Sequence, residues 1–246
     1  MSVQIIPIKL SKDVGPKDDL VKILLKTKAG SNLQDNDILV FTQKIISKQE
    51  GQQIDLSLVK PTLFATGIAS AYNKDPKIVQ LILDQTKRLV RMKNGIIISE
   101  TYQGLVCANA GIDESNVEKG YATLLPKNAD KSADDLRRQI KAKTKKNVAV
   151  IISDTFGRPF REGQTDVAIG ISGVSSIINY EGKHDIFDRI LRVTAIAVAD
   201  EICSASELVR GKILNTPIAI IRNYKFDKKN GRLKDLLRDK SLDLFR

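Results

Sequence analysis

An aspartate and a threonine, Asp154 and Thr155, stand just after an uninterrupted apolar run at residues 148–152, with Ser153 between. The run predicts a buried strand, which would hold a carboxylate and a hydroxyl rigidly at the rim of a sheet. Oxygen donors of this kind suit Mg²⁺ or Mn²⁺. The same pair can also simply cap a turn, so a metal site here needs support from neighbouring residues.

Two arginines and two glycines lie just beyond this pair. Arg158 and Arg161 are three residues apart, and Gly157 and Gly163 bound their segment. Guanidinium groups pair bidentately with phosphate or carboxylate, and glycine lets a ligand approach the backbone closely. We predict that residues 153–166 form a loop that binds an anionic ligand, with Arg158 and Arg161 as catalytic candidates; the alternative is a solvated turn.

Further acidic side chains have spacings that suit a site. Asp113 and Asn116 are three residues apart and would share one side of a helical turn, with Asp113 reaching a cation and Asn116 a phosphate oxygen or a base edge. On a helix predicted for residues 190–210, Asp200 and Glu207 are seven residues apart, so they lie nearly in line on a face that is not the apolar one. These two acids either look into a site or form a solvated face.

Two lysines have the spacing expected of a phosphate contact. Lys44 and Lys48 are four residues apart on a helix predicted for residues 43–51, which follows a buried strand predicted for residues 37–41. They share a helix face and, with the free N–H groups at the helix start, would attract phosphates. Exposed helix lysines often only aid solubility, and Lys12, in a loop near the amino terminus, is open to the same two interpretations.

The composition narrows the class of protein. The chain has 246 residues, 42% of them hydrophobic, and 40 Lys and Arg against 29 Asp and Glu give a formal net charge of +11. That charge favours anionic partners, which include nucleic acid, an anionic membrane and phosphorylated small molecules. No apolar run approaches the ~20 residues of a membrane span, and no signal peptide is evident, so we expect a cytoplasmic protein without membrane contact. With two cysteines and one histidine, any metal must be held mainly by oxygen.

The order of predicted elements indicates the fold class. Helices are predicted at residues 75–92 and 130–146, a hairpin at residues 96–98 and 105–107, and a strand at residues 217–221. The Gly-rich phosphate motifs of the Rossmann and P-loop folds are missing. The irregular order favours an α+β fold with mostly antiparallel mixed sheets and flanking helices.

Four segments carry a resemblance to a known family. They read DILVFTQKIISKQEG, GIDESNV, ISDTFGRPFREGQTDVAIG and VADEICSASELVRGK, and the third is the most specific. Together they resemble the archaeal coenzyme F420-0:L-glutamate ligase family, also called gamma-glutamyl ligase, over residues 5–222. We therefore predict a ligase domain at residues 1–224, which could comprise two intertwined lobes, and a charged C-terminal tail at residues 225–246.

The resemblance implies a GTP-dependent ligase that has an unusual α+β fold and forms a homodimer. It implies that L-glutamate is added to the lactyl phosphodiester side chain of coenzyme F420-0, and that a second, gamma-linked glutamate is then added to F420-1, forming GDP and phosphate. It also implies two Mg²⁺ or Mn²⁺ ions and a stimulating K⁺ ion. We expect an acyl-phosphate intermediate, because a carboxylate is a poor acyl electrophile.

The resemblance also assigns residues. The implied metal ligands are Asp113, Asp154, Thr155 and Glu207. The implied GTP contacts are Leu10, Ser11, Lys12, Gln43, Lys44, Lys48 and Asn116.

Two other functions stay open. A basic nucleic-acid-binding protein would explain the charge of +11 and a basic run at residues 137–146, but aromatic residues are only 5%, Trp is absent and no binding motif occurs. This makes nucleic acid the weaker candidate. The second alternative is a metal-dependent ligase for another acid-bearing metabolite.

Overall fold

A computed structural model describes residues 2–244 of the chain as twelve strands and seven α-helices. The strands are β1 (Gln4–Ile8), β2 (Ile38–Thr42), β3 (Gln53–Asp55), β4 (Thr86–Lys93), β5 (Ile96–Thr101), β6 (Val106–Ala108), β7 (Tyr121–Thr123), β8 (Ala149–Arg158), β9 (Arg161–Ser172), β10 (Ile178–Asn179), β11 (Ala195–Ile196) and β12 (Ile218–Arg222). The helices are α1 (Leu20–Leu25), α2 (Gln43–Gln49), α3 (Leu63–Tyr72), α4 (Pro76–Gln85), α5 (Ala129–Thr144), α6 (Val198–Arg210) and α7 (Leu233–Leu236). Within residues 2–244, no helix has the length and apolar character that a bilayer crossing requires.

The central sheet has five strands in the order β1-β12-β2-β8-β9. Only the β2–β8 pair is parallel, and the other three pairs are antiparallel. Helices cover both faces, because the strands are apolar on both sides: α1 and α5 pack on one face and α6 packs on the other. The α+β class with mostly antiparallel sheets is confirmed.

A smaller lobe lies in the chain between α2 and α5. Its own apolar core is formed by α3 and α4 with the sheet β4-β5-β6 and the β3–β7 pair. Helix α4 begins where the sequence indicates, since Asp75 accepts a hydrogen bond from the Lys77 N–H and Pro76 occupies the first turn. The β3–β7 pair joins the beginning of this lobe to its end.

Two predicted helices are longer than the observed ones. The helix predicted at residues 75–92 ends at Gln85, and the rest of that stretch is strand β4, paired with β5. Asn94 and Gly95, both with positive φ, make the tight turn between these strands, and Asn-Gly is a strong hairpin signal. The helix predicted at residues 190–210 begins only at Val198. The hairpin predicted at residues 96–98 and 105–107 is confirmed as β5–β6.

The prediction of a loop at residues 153–166 is wrong. Strand β8 continues through Arg158 and β9 begins at Arg161, so this stretch is a two-stranded ribbon with Pro159 and Phe160 at its tip. The alternating pairing places Asp154 opposite Val167 and Thr155 opposite Asp166. Candidate site residues therefore stand on a hydrogen-bonded ladder, which fixes their position better than a loop would.

Residues 225–244, which the sequence predicts as a charged tail, pack along the protein, and we call them the C-terminal strap. Arg232 pairs with Asp134 at 2.9 Å, and the Leu233 N–H donates to the Asp130 carboxylate on α5. Further on, Lys240 lies 3.2 Å from the buried Glu100 of β5. The strap thus connects the main body to the smaller lobe.

A buried ion pair fastens the end of β12 to the start of β2. The Asp37 carboxylate accepts hydrogen bonds from Arg222 Nε at 2.9 Å and Nη2 at 2.7 Å, and also from the Gln34 N–H. The hydrogen bond with Asp37 raises the pKa of Arg222 above its ordinary value. Both oxygens of Asp37, which is 1% exposed, thus have hydrogen-bond donors.

We predict that Arg222→Met lowers the free energy of unfolding by about 2–4 kcal/mol, because it leaves the Asp37 carboxylate buried without its cation. Adding Asp37→Asn to this variant should recover part of the loss. Lys131→Met, which removes the exposed pair with Asp135 on α5, should cost no more than about 0.5 kcal/mol. Urea unfolding measures all three, and equal losses for Arg222→Met and Lys131→Met would contradict the prediction.

Candidate active site

Four chain segments meet at one edge of the central sheet. Strands β1 and β2 end there and β12 begins there, because β12 runs antiparallel to both of its neighbours. Strand β8, parallel to β2, passes this edge at Ser153 and continues into the ribbon. Thr42 at the end of β2 is level with Ser153 of β8, and its N–H donates to the Pro217 carbonyl at 2.9 Å. The Leu10 N–H donates to the Asn215 carbonyl at 3.2 Å. This edge is where open sheets with helices on both faces commonly bind ligands.

A cavity of about 430 Å³ opens at this edge. Nine of the residues that the sequence marks for the site line it: Leu10, Lys12, Gln43, Lys44, Lys48, Asn116, Asp154, Thr155 and Glu207. They come from five separate stretches of the chain. The fold therefore brings together most of the groups that the resemblance implies.

Four marked residues are placed differently. Asp113 does not line the cavity but is joined to it through Lys44, whose Nζ lies 2.8 Å from Asp113 Oδ2. Ser11 is exposed beside the lining residues. Arg158 and Arg161 lie at the tip of the β8–β9 ribbon and contribute nothing to the cavity wall, and Arg158 donates to the Glu162 carbonyl at 2.6 Å.

Asp113 and Asn116 do not lie on the helical turn that their spacing predicts. Asp113 forms a bridge with Thr123 across an antiparallel ladder, and its side chain accepts hydrogen bonds from the N–H and hydroxyl of Ser115. Asn116 follows in a turn with positive φ and lines the cavity. The two side chains therefore reach the site from a turn, which their spacing alone did not reveal.

Each of the predicted phosphate-binding lysines has an acidic partner. Lys44 donates to the Ser115 hydroxyl at 2.7 Å in addition to its ion pair with Asp113. Lys48 is buried, and its Nζ lies 2.6 Å from Asp13 Oδ2. These lysines are therefore held by carboxylates on neighbouring segments and do not extend freely into solvent.

The central group of the site is Asp166, which the sequence analysis did not single out. Its side chain is 3% exposed and lies 2.5 Å from Arg210 Nη2 and 3.0 Å from Lys212 Nζ. The Thr155 hydroxyl also donates to Asp166 at 2.7 Å, and Arg210 donates to the Ser153 hydroxyl at 3.1 Å. One buried carboxylate thus connects β8, β9, the end of α6 and the segment after it.

Arg210 carries a polar atom without a partner. Its side chain is 1% exposed and lines the cavity, and Nη1 makes no hydrogen bond within the described part of the chain. A signal for it existed in the sequence, because Arg210 continues the buried face of α6 that includes Ile202, Cys203 and Ser206. A cation on a buried helix face requires a buried acid, although the sequence does not say which one.

The two aspartates next to Lys44 have opposite pKa shifts. Burial raises the pKa of Asp154 to about 7. The negative charges of Asp166 and Asp113 raise this pKa further, whereas the hydrogen bond from the Thr155 N–H and the positive charge of Lys44 lower it. For Asp113, burial acts in the same direction, but hydrogen bonds from Lys44 and Ser115 outweigh it and lower the pKa below its usual value. Asp154 is therefore the acid whose charge the site lacks a cation to balance.

The two thiols are unsuited to chemistry at this site. Burial raises the pKa of Cys107 to about 12, and the charge of Asp154 adds to the effect. Burial also raises the pKa of Cys203 well above its ordinary value. Since the thiolate is the nucleophilic form, neither cysteine is activated, and the groups left for catalysis are carboxylates, hydroxyls, lysines and arginines.

Comparison with known proteins identifies the family to which the chain is similar. The model of the F420-0:Gamma-glutamyl ligase family matches residues 8–223. The coenzyme F420:L-glutamate ligase of Methanothermobacter thermautotrophicus is 42% identical, and the match covers all of both chains. The enzyme of the same name from Methanocaldococcus jannaschii is 44% identical over 87% of this chain and 86% of its own. The one from Methanopyrus kandleri is 39% identical over all of this chain and 98% of its own.

The opposite pKa shifts predict opposite effects on the stability of the metal-free protein. The raised pKa of Asp154 means that its ionisation opposes folding at high pH, so Asp154→Asn should raise the free energy of unfolding by about 1–3 kcal/mol at pH 8 and by less at pH 5. The lowered pKa of Asp113 means that its charge favours folding above the unfolded pKa, so Asp113→Asn should lower stability at pH 8. That loss should stay below about 1 kcal/mol, because the side chain is 41% exposed.

Thermal unfolding in EDTA at pH 5 and pH 8 measures both effects. Asp188→Asn, at a carboxylate that is 88% exposed, serves as the control and should change little. Destabilisation by Asp154→Asn at pH 8 would show that this carboxylate is not under electrostatic strain.

Proposed function

The chain belongs to the F420-0:gamma-glutamyl ligase family, and we propose that it is a GTP-dependent ligase that joins L-glutamate to coenzyme F420-0. In a second round it adds a gamma-linked glutamate to F420-1. The relatives named above carry coenzyme F420 and L-glutamate in their names. GTP, the second addition and a cytoplasmic location are our proposals for this chain.

One observation carries the proposal: carboxylates and cations converge on a single cavity at the edge of the central sheet. Transfer of a phosphoryl group to a carboxylate requires both, because the nucleotide and the acceptor are anions that must be brought together. A site of one charge sign would hold the nucleotide or its cations, but not both.

The oxygen donors of the cavity and of the neighbouring Asp113 fit divalent cations. Asp113, Asp154 and Thr155 would hold them together with Glu207, and carboxylate and hydroxyl oxygens are the donors that Mg²⁺ and Mn²⁺ prefer. In the described residues, no three acidic, cysteine or histidine side chains stand in a cluster that could hold a metal ion, so hydroxyl oxygens such as that of Thr155 would have to take part. Two bound ions would neutralise charge on the phosphates. A stimulating K⁺ ion belongs to the same proposal.

The lysines and the free arginine nitrogen support a nucleotide in the same cavity. Lys44, Lys48 and the segment 10–12 would contact GTP phosphates, while Gln43 and Asn116 offer amide groups from the wall. Arg210 Nη1 is a buried donor without a protein acceptor. A buried donor of this kind is best explained by an acceptor that the ligand brings.

The chemistry takes two steps. An oxygen of the substrate carboxylate attacks the terminal phosphorus of GTP, the bond to the bridging oxygen breaks, and GDP leaves. The amine of glutamate, having lost its proton to solvent, then attacks the acyl carbon, and phosphate leaves as the amide forms. In the first step the lysines and Arg210 hold the charge that moves onto GDP.

Arg158 and Arg161 stay proposed as contacts for a phosphate or a substrate carboxylate. Because they lie outside the cavity, this role needs a substrate that extends along the ribbon or a second copy of the chain. We propose a homodimer, supported by large apolar side chains that are exposed near the ribbon, the β10–β11 hairpin and the end of α6: Phe160, Ile186, Phe187, Val193, Leu208 and Ile213.

The direct test incubates the protein with F420-0, L-glutamate, GTP and Mn²⁺ and follows product masses together with GDP. We expect F420-1 first and F420-2 later, with one GDP formed for each glutamate added. ATP in place of GTP should give much less product. GTP hydrolysis without any F420 product would contradict the proposal that F420-0 is the substrate. Product formation without a nucleotide would contradict the proposed GTP-dependent mechanism.

A single substitution tests the role of Asp154 as a metal ligand. Asp154→Asn should lower turnover by about 100-fold or more, because it removes a charged oxygen donor for the cations. Asp188→Asn, at an exposed carboxylate on the β10–β11 hairpin, is the matched control and should keep wild-type turnover. Full activity of Asp154→Asn would remove this residue from the proposed metal ligands.

A further inference from the structure

Three oxygen atoms converge on the ammonium group of Lys212. Its Nζ lies 2.7 Å from Thr155 Oγ1, 3.0 Å from Asp166 Oδ1 and 3.4 Å from Glu207 Oε1. Two of the oxygens stand opposite each other on the β8–β9 ribbon, and the fold brings Glu207 of α6 to them. Two carboxylates and a hydroxyl thus form a binding site for a cation, and the ammonium group of Lys212 occupies it.

The same donors suit a divalent cation better than an ammonium group. Two of them, Thr155 and Glu207, belong to the proposed metal ligands, and Asp166 adds a carboxylate that the proposed function does not use. Carboxylate and hydroxyl oxygens bind Mg²⁺ and Mn²⁺, and a doubly charged ion gains more from two carboxylates than a singly charged one does. Lys212 and a metal ion would therefore compete for one place.

Lys212 is able to leave. Its side chain is 57% exposed, and it stands on a segment between α6 and β12 that has neither helical nor strand structure. Its departure does not leave Asp166 without a cation, because the buried Arg210 stays bonded to that carboxylate. Lys48, by contrast, is buried in its ion pair with Asp13.

We propose that Lys212 is a built-in counter-ion that occupies a divalent-cation position formed by Thr155, Asp166 and Glu207, and that it must move out before the ion enters. This inference rests on the metal dependence included in the proposed function. Lys212 also lines the cavity, so an anionic phosphate there gives the displaced ammonium group a new partner. Metal binding without a nucleotide is thus opposed by Lys212, and a nucleotide relieves that opposition.

The test measures Mn²⁺ binding without nucleotide, from the electron paramagnetic resonance signal of free Mn²⁺. Lys212→Met should bind Mn²⁺ about tenfold more tightly than the wild type, because the competitor is gone. Lys12→Met is the matched control: Lys12 lines the same cavity and is 56% exposed, but pairs with Asp18 instead. Its effect should stay within about threefold, which is what a distant charge produces.

A double variant tests whether the tighter Mn²⁺ binding of Lys212→Met depends on Glu207. Lys212→Met with Glu207→Gln should lose most of the tighter binding, because one of the three oxygen donors has lost its charge. The proposal is overturned if Lys212→Met binds Mn²⁺ no more tightly than the wild type, if Lys12→Met gains as much, or if the gain survives Glu207→Gln. Circular dichroism and thermal unfolding confirm that each variant is folded.

The product assay separates this inference from the proposed function. If F420-0 gains no glutamate but Lys212→Met still binds Mn²⁺ more tightly, the substrate assignment fails and the cation position stands. If glutamate is added normally but none of the variants differs in Mn²⁺ affinity, the counter-ion role of Lys212 fails alone. Absence of Mn²⁺ binding in every variant overturns both the cation position and the metal dependence.

Discussion

The buried ion pair between Asp166 and Arg210 is the interaction on which the site depends. Removing Asp166 would leave the buried Arg210 charge without its carboxylate, so the end of α6 cannot shift without carrying β9 with it. Thr155 and Ser153 of β8 are hydrogen-bonded into the same group. The positions of Glu207, one turn before Arg210, and of Lys212, just after it, follow from this one constraint. A catalytic surface built from three elements thereby acquires a fixed geometry.

Local signals predicted much of the fold, and the family resemblance marked nine residues that the fold brings to one cavity. Two predictions that need only neighbouring residues are confirmed. Helix α4 begins at Asp75–Pro76, and the apolar run before Asp154 is a buried strand. The helical spacing of Leu89 and Val90 predicts that the helix continues after Gln85, but pairing with β5 makes this stretch a strand. The role of Asp166 was not predictable, since its partner Arg210 is 44 residues away and only the folded sheet brings them together.

The charge of +11 does not accumulate in the cavity. Lys12, Lys44 and Lys48 each face an aspartate there, and part of the basic run on α5 is used structurally, with Lys143 paired to Asp19 and the Arg137 side chain donating to the Val148 carbonyl. A cavity with balanced charges offers little to a bare polyanion. It suits a nucleotide that arrives with its own cations, and this distinguishes it from the continuous basic surface that nucleic acid requires.

The strand order has a consequence for how the chain is made. In the central sheet β12 lies between β1 and β2, so the two amino-terminal strands have no contact through the sheet until residues 218–222 are present. During synthesis, almost the whole polypeptide must therefore emerge from the ribosome before the central sheet can form completely. The smaller lobe has its own core between residues 54 and 122 and is free to fold earlier. Nascent chains of this protein would thus carry a folded smaller lobe and unpaired apolar strands, which are the segments that chaperones recognise.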